Sequence, residues 1–270
     1  MECGLSVKRA CEALRLTRSA YYRPVRNRAV EDAPVVEGLN QVVAKNGRWG
    51  FWKCYDRLRL DGQLWNHKRV HRIYKAMKLN LPRRTKKRIP ARIQQPLEVV
   101  RQPNIMWSMD FMHDALYQGR RFRTLNVLDE GVRECLAIEV DTSLTAERVI
   151  RVLEQLKAGR GLPRQIRVDN GPELIADKLA DWCKANHVEL VYIQPGKPTQ
   201  NAYIERFNRT FRYEVLDAHL FDNLEQVREI SWNWLRCYNE ERPHDALGGI
   251  PPSHFRKQVT AENSTNNLSS

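Results

Sequence analysis

Between residues 105 and 142, three strand-like apolar runs follow one another with only short polar turns between them. They read IMWSMDFMHD (105–114), RFRTLNVLDE (121–130) and ECLAIEVDT (134–142). After them the period changes. TAERVIRVLEQLKAG (145–159) places Val149, Val152, Leu153 and Leu156 on one helical stripe. QIRVDNG is a short strand ending in a turn, ELIADKLADWCKANH a helix, and VELVYIQP another strand. Three consecutive strands followed by alternating helices and strands indicate an α/β layer built on a mixed sheet. Beyond the loop GKPTQ, the stretch from Asn201 is helical through Ile204, Phe207, Phe211 and Val215, with both phenylalanines in the core. NLEQVREISWNWLRCYN forms the last long helix. The core is expected over residues 103–258, and the polar residues 259–270 as a disordered tail.

The first 80 residues have a different texture. VKRACEAL carries Val7, Ala10, Cys11 and Leu14 at helical spacing, and Thr17 can cap RSAYYR after a tight turn. The arrangement repeats more strongly further on. GFWKCYDRLRLDG offers Phe51, Tyr55 and Leu58 on one face, and Asn66 can cap a helix whose buried stripe is Val70, Ile73, Tyr74 and Met77. Its opposite side carries Lys68, Arg69, Arg72 and Lys75, suited to phosphates. Residues 1–80 therefore read as a helix-turn-helix DNA-binding region. LPRRTKKRIPARIQQP follows, with Arg83, Arg84, Lys86, Lys87, Arg88 and Arg92, no acid, and three prolines. It cannot bury itself and reads as a basic linker over 81–102.

The charge balance points the same way. Lys and Arg number 45 against 32 Asp and Glu, a net +13, which calls for a polyanionic partner, nucleic acid or an anionic membrane surface. The membrane is the weaker choice, because no uninterrupted apolar run approaches the roughly 20 residues of a spanning helix. MECGLSVKRACEALRL lacks the apolar core of a secretion signal, so a cytoplasmic protein is expected. The six cysteines (Cys3, Cys11, Cys54, Cys135, Cys183 and Cys237) form no C-x-x-C pair and read as reduced, packed thiols. His67 and His71 stand four apart, a metal-ligand spacing, but without a cysteine pair they belong to a basic helix face.

Three acids fall beside loops. Asp110 sits inside an apolar strand, where a carboxylate is costly unless something neutralises it. Asp169 follows QIRV at the C-terminal end of a strand, the edge where open α/β sheets gather ligands. Glu205 lies one turn into a helix, where the dipole favours an anion. Between Asp169 and Glu205 lie 205 − 169 − 1 = 35 residues. Of the other acids, Asp114 and Asp129 are candidates for supporting positions. Glu173 is a helix cap, and Glu214 and Asp217 are solvated. Arg242 and His244 either order the site, touch DNA or form a structural clasp.

WSMDFM, VDNGPEL, PGKPTQNAYIERFNRTFRYEVLD and YNEERPHDALGGIPP occur in that order. Together they resemble the retroviral-integrase-type core of bacterial insertion-sequence transposases, the OrfB type with a D, D-35-E triad. WNHKRVHRIYKAMKL resembles the helix-turn-helix segment that precedes it. The resemblance implies an RNase H-like fold, a mixed five-stranded sheet flanked by helices. Asp110 would lie on the central strand, Asp169 just after the fourth strand and Glu205 on a following helix. It implies a DNA transposase that cleaves strands and transfers them at the element's ends during DNA integration and recombination. Water and then a 3′-hydroxyl would be the nucleophiles, with no nucleophilic side chain. Asp110, Asp169 and Glu205 would be both the catalytic groups and the ligands of two Mg²⁺ or Mn²⁺ ions. Lys197, Gln200, Arg206 and Arg209 join the candidate DNA contacts, and Asn201 and Asn208 are candidates for hydrogen bonds near the site. Double-stranded DNA, further copies of the chain and a fused upstream-frame (OrfA-type) product are the implied partners. A non-catalytic DNA-binding regulator derived from a transposase and a hydrolytic nuclease remain as alternatives.

Overall fold

The computed structural model describes residues 4, 6–23, 27–82, 100–169, 171, 174, 177–194 and 198–267. Most of the expected basic linker, and Lys197, lie outside them.

Five helices form the N-terminal unit: α1 (Val7–Ala13), α2 (Arg18–Tyr21), α3 (Arg28–Lys45), α4 (Phe51–Leu60) and α5 (His67–Ala76). Thr17 and Asn66 cap α2 and α5 as expected, accepting from the N–H groups of Ala20 and Lys68. Val70, Ile73 and Tyr74 are buried and pack with Leu58, Cys54 and the α3 residues Val35, Leu39 and Val42. α3 is not among the expected elements, because Pro34 in its interior breaks the sequence signal for one continuous helix. Leu14, expected on the buried stripe of α1, is instead 70% exposed, since it stands past the last helical turn as the C-cap. His67 and His71 pack among aromatic rings, Trp52 and Tyr55 beside His67 and Phe51 beside His71. Of the cysteines, Cys11, Cys54, Cys135, Cys183 and Cys237 are free thiols.

In the core, β1 (Met106–Ala115), β2 (Arg121–Asp129) and β3 (Glu134–Asp141) pair antiparallel in chain order. The chain then crosses through α6 (Ala146–Arg160) to β4 (Gln165–Val168), which lies parallel to β1 on its free edge. α7 (Asp177–Ala185) leads to β5 (Glu189–Tyr192), giving a five-stranded mixed sheet in the order β3-β2-β1-β4-β5. α8 (Ala202–Glu214), α9 (Leu224–Glu240) and α10 (Pro252–Asn267) complete the chain.

Strand alternation sorts the side chains between two layers. Trp107 and Met109 of β1, with Leu125 and Val127 of β2, face α6 and α7. Met112 and Phe122 face α8 and α9, where Ile204, Phe207, Phe211, Val227 and Tyr238 are buried. Asp110 has the parity of Met112, so the pleat turns it toward α8.

The tail departs from expectation. Where disorder was expected from residue 259, α10 runs on to Asn267. Its first turn is nucleated at Pro251, whose carbonyl accepts from the N–H groups of His254 and Phe255. Val259 is buried and Arg256 pairs with Glu134 at 3.1 Å. Once a nucleus is fixed by packing, each further residue adds a hydrogen bond at little cost, and low apolar content no longer prevents helix.

The two units are in contact. The Arg48 guanidinium lies 4.8 Å over the Tyr213 ring and donates to the carbonyls of Tyr213 and Asp217. Arg57 donates to the Glu241 carbonyl at 3.3 Å. The helical unit thus rests on the ends of α8 and α9.

Candidate active site

Asp110 stands opposite Asn126 in the β1–β2 ladder. On its other side, β1 runs parallel to β4 with Ser108 opposite Arg167. Carrying that register two residues onward along both strands brings Asp110 alongside Asp169. Glu205 enters from above, on the first turn of α8. A central strand, the end of its parallel neighbour and one helix thereby deliver three acids from distant parts of the chain to one end of the sheet.

Electrostatics records the convergence. The half-buried Asp110 carboxyl is pushed up from 3.8 to about 6, first by burial and then by the charge of Asp169, with Glu205 adding to it. Two hydrogen bonds oppose the rise. The Phe111 N–H donates to Asp110 Oδ1 at 2.8 Å, and Asn208 Nδ2 donates to Oδ2 at 2.7 Å. Asn208 is buried and is oriented in turn by Asn126, whose Nδ2 donates to Asn208 Oδ1 at 2.7 Å. Asp169 Oδ1 accepts from the N–H of Gly171 at 3.0 Å, which fixes the carboxylate at the turn.

Asn126 is a member of this site that the sequence did not single out. Its signal was present: a lone amide within the apolar run TLNVL, at a position that is 0% exposed. A buried amide needs a partner, and that partner is the residue holding Asp110.

In a chain of net +13, among the described residues no Lys or Arg pairs with Asp110, Asp169 or Glu205. Other acids are well served. Asp129, fully buried, binds Arg160 at 3.1 Å, and Glu130 binds Arg167 at 2.6 Å. Asp114 binds Arg212 at 3.1 Å. Glu214, expected in solvent, is instead clasped by Arg242 at 2.9 Å and accepts from Trp234 Nε1. The end of α8 is covered by α9 and the chain beyond it, so a carboxylate there must be paired; Arg242 is therefore a structural clasp. His244 is half-buried, with Nε2 3.3 Å from the Tyr238 carbonyl.

Among the described residues, no three His, Cys, Asp or Glu side chains are gathered closely enough to hold a metal ion. Glu205 is exposed and acts on Asp110 less than Asp169 does.

The candidate DNA contacts divide. Lys68 and Lys75 are exposed on α5. Arg69 and Arg72 instead reach back to Asp32 of α3, at 2.9 and 2.6 Å. Arg206 and Arg209 are exposed on α8 beside Glu205, without an ion pair among the described residues. Gln200 is turned inward to its own loop, its Oε1 accepting from the Gln194 N–H at 3.0 Å. Asn201 is buried.

Known families and proteins match this chain in sequence. Two integrase core domain families match residues 100–198 and 186–252, and an HTH-like domain matches 31–88. The 39.2 kDa protein of insertion element IS476 from Xanthomonas euvesicatoria is 38% identical over 263 residues, covering 97% of this chain and 75% of that protein. The 31.7 kDa protein of insertion element IS407 from Burkholderia multivorans is also 38% identical, over 96% of this chain and 94% of its own length. The putative transposase InsK of IS150 from Escherichia coli is 22% identical over 92% of each chain.

Proposed function

Because the chain belongs to the insertion-element transposases built on an integrase-type core behind a helix-turn-helix-like unit, we propose that it cuts and joins DNA strands at the ends of its element. The observation that carries this reading is the unneutralised carboxylate group. Among the described residues of a strongly cationic chain, Asp110, Asp169 and Glu205 have no basic partner, while burial and mutual repulsion lift Asp110 to about 6. Such an arrangement is unfavourable for folding alone and favourable for holding a cation.

The chemistry of the donor set suits Mg²⁺ or Mn²⁺, since carboxylates are hard oxygen ligands and these ions retain water for the remaining positions, but the exposed Glu205 would have to turn inward to join Asp110 and Asp169. Asp110, Asp169 and Glu205 would hold two ions. When bound, such a pair activates an attacking oxygen and stabilises the leaving one in an in-line displacement at phosphorus. The protein's part is placement. The Phe111 N–H and the Asn126–Asn208 relay hold the Asp110 oxygens in one orientation. Gly171 holds Asp169, and α8 brings Glu205 to the rim. Arg206 and Arg209 beside Glu205, with Lys68 and Lys75 on α5, supply cations for the DNA backbone. No side chain serves as nucleophile: water releases the 3′-hydroxyl, and that hydroxyl attacks the target strand. Copies of the chain bring two DNA ends together, and an upstream-frame fusion partner supplies further end recognition.

The test is strand joining on a duplex carrying the element's end, in Mg²⁺ or Mn²⁺. Asp110→Asn, Asp169→Asn and Glu205→Gln should each reduce joining below detection while DNA binding persists. Near-wild-type joining by any one variant refutes the triad. Binding without joining by the wild type at every metal concentration would make the chain a DNA-binding regulator, and cleavage without joining a nuclease.

A further inference from the structure

Arg206 does not share the side of α8 that carries Glu205 and Asn208. At 3.6 residues per turn, Glu205 and Asn208 fall on one side of the helix, and Tyr203, Arg206 and Thr210 on the other. That second side walls a cleft of about 190 Å³. Lys53 of α4, Arg133 from the turn between β2 and β3, and Arg242, His244 and Asp245 from the chain after α9 also line it, beside an apolar part that includes Leu128, Phe207 and Tyr238. The helical unit and the catalytic core both contribute. That volume is well under the ~300 Å³ of pockets that enclose organic ligands. A small oxyanion suits it.

The lining is cationic. Arg242 is engaged by Glu214, and Arg133 lies 3.5 Å over the Tyr203 ring. Lys53 and Arg206 have no ion pair among the described residues, and Asp245 is the only acid on the wall. Two groups register the excess. Lys53 is held below the ordinary lysine range by burial and then by Arg242, with Arg206 adding, although Asp245 and Glu214 oppose them. His244 is held well below its usual value by burial, followed by Arg242, with Lys53 and Arg206 contributing. Cations drawn from separate parts of the chain into one half-closed space repel one another unless an anion enters.

We propose that this cleft is a phosphate-binding site, occupied by a backbone phosphate of the DNA strand that crosses α8 from the carboxylates. One phosphate would fasten the helical unit, through Lys53, and the catalytic helix, through Arg206, to the same strand. A helix is about 10 Å across and the strand rises about 3.4 Å per nucleotide, so the phosphate lies about three nucleotides from the reacting one. The proposal takes DNA as ligand from the reading above but does not depend on strand joining.

The test is therefore made without chemistry, on the full chain carrying Glu205→Gln, in EDTA. Affinity for a short duplex is measured against salt. Lys53→Gln should reduce the log–log slope by about 0.9, the value of one phosphate contact, and Lys53→Arg should retain it. Asp245→Asn, which removes the opposing charge, should tighten binding. An unchanged slope in Lys53→Gln at wild-type melting temperature overturns the proposal, as does weakened binding in Asp245→Asn. Inorganic phosphate distinguishes the source: a Lys53-dependent rise in melting temperature with phosphate, without any change in the DNA slope, would leave a free-anion site and overturn the DNA assignment.

Discussion

Asp110 is the residue where folding and function conflict most directly. To hold the proposed cation it must be ionised, yet burial and its acidic neighbours resist that ionisation and hold its carboxyl at about 6. A group whose folded pKa is raised binds its proton more tightly in the folded chain. Its favourable contribution is complete below about 3.8 and is lost as pH rises through 6, at most about 3 kcal/mol. The metal-free protein should therefore lose stability between pH 4 and 6. At pH 7.5, Mg²⁺ should restore it by occupying the site. Thermal melts can check this: Mg²⁺ should raise the melting temperature of the wild type at pH 7.5, little at pH 5, and not in Asp110→Asn. An equal Mg²⁺ effect in Asp110→Asn would show that the ion stabilises the protein elsewhere.

At the scale of elements, α5 shows how a helix face read from sequence is shared out in three dimensions. Lys68, Arg69, Arg72 and Lys75 form one basic side, but Asp32 of α3 holds Arg69 and Arg72. Asp32→Asn should release both arginines, tighten DNA binding and steepen its salt dependence by about 0.9 for each arginine that gains a phosphate. A slope no steeper than wild type would confine those arginines to tying α5 to α3. The basic stripe was legible, because four cations at helical spacing on one side of an apolar stripe need only local geometry. Asp32 as their partner was not, since it lies on α3, which Pro34 obscured. The same contrast runs through the core. The strands and their acids were legible from alternation and from motifs in order. Asn126 and the clasp of Glu214 by Arg242 depend on which helix covers which strand, and periodicity carries no such information. The helical course of residues 259–267 rests on packing at Val259 and Arg256, which composition alone cannot reveal.

Across the whole molecule, the helical unit sits against the integrase-type core through Arg48 and Arg57, so the proposed DNA contacts on α5 and on α8 are carried by two units that touch. The sheet order β3-β2-β1-β4-β5 places Asp110 at its centre and Asp169 on the adjacent strand end, and α8 spans from that point to the cationic cleft. The account depends on Asp110, Asp169 and Glu205 serving a shared ion site, with Glu205 turning inward from its exposed position when the site is filled. Diffraction from crystals of the DNA-bound protein grown with Mn²⁺ tests this directly, through the anomalous signal of the metal. The account predicts manganese peaks within about 2.1 Å of oxygens from all three carboxylates. Manganese held by Asp110 and Asp169 with Glu205 left in solvent, or manganese absent from that end of the sheet, would contradict it.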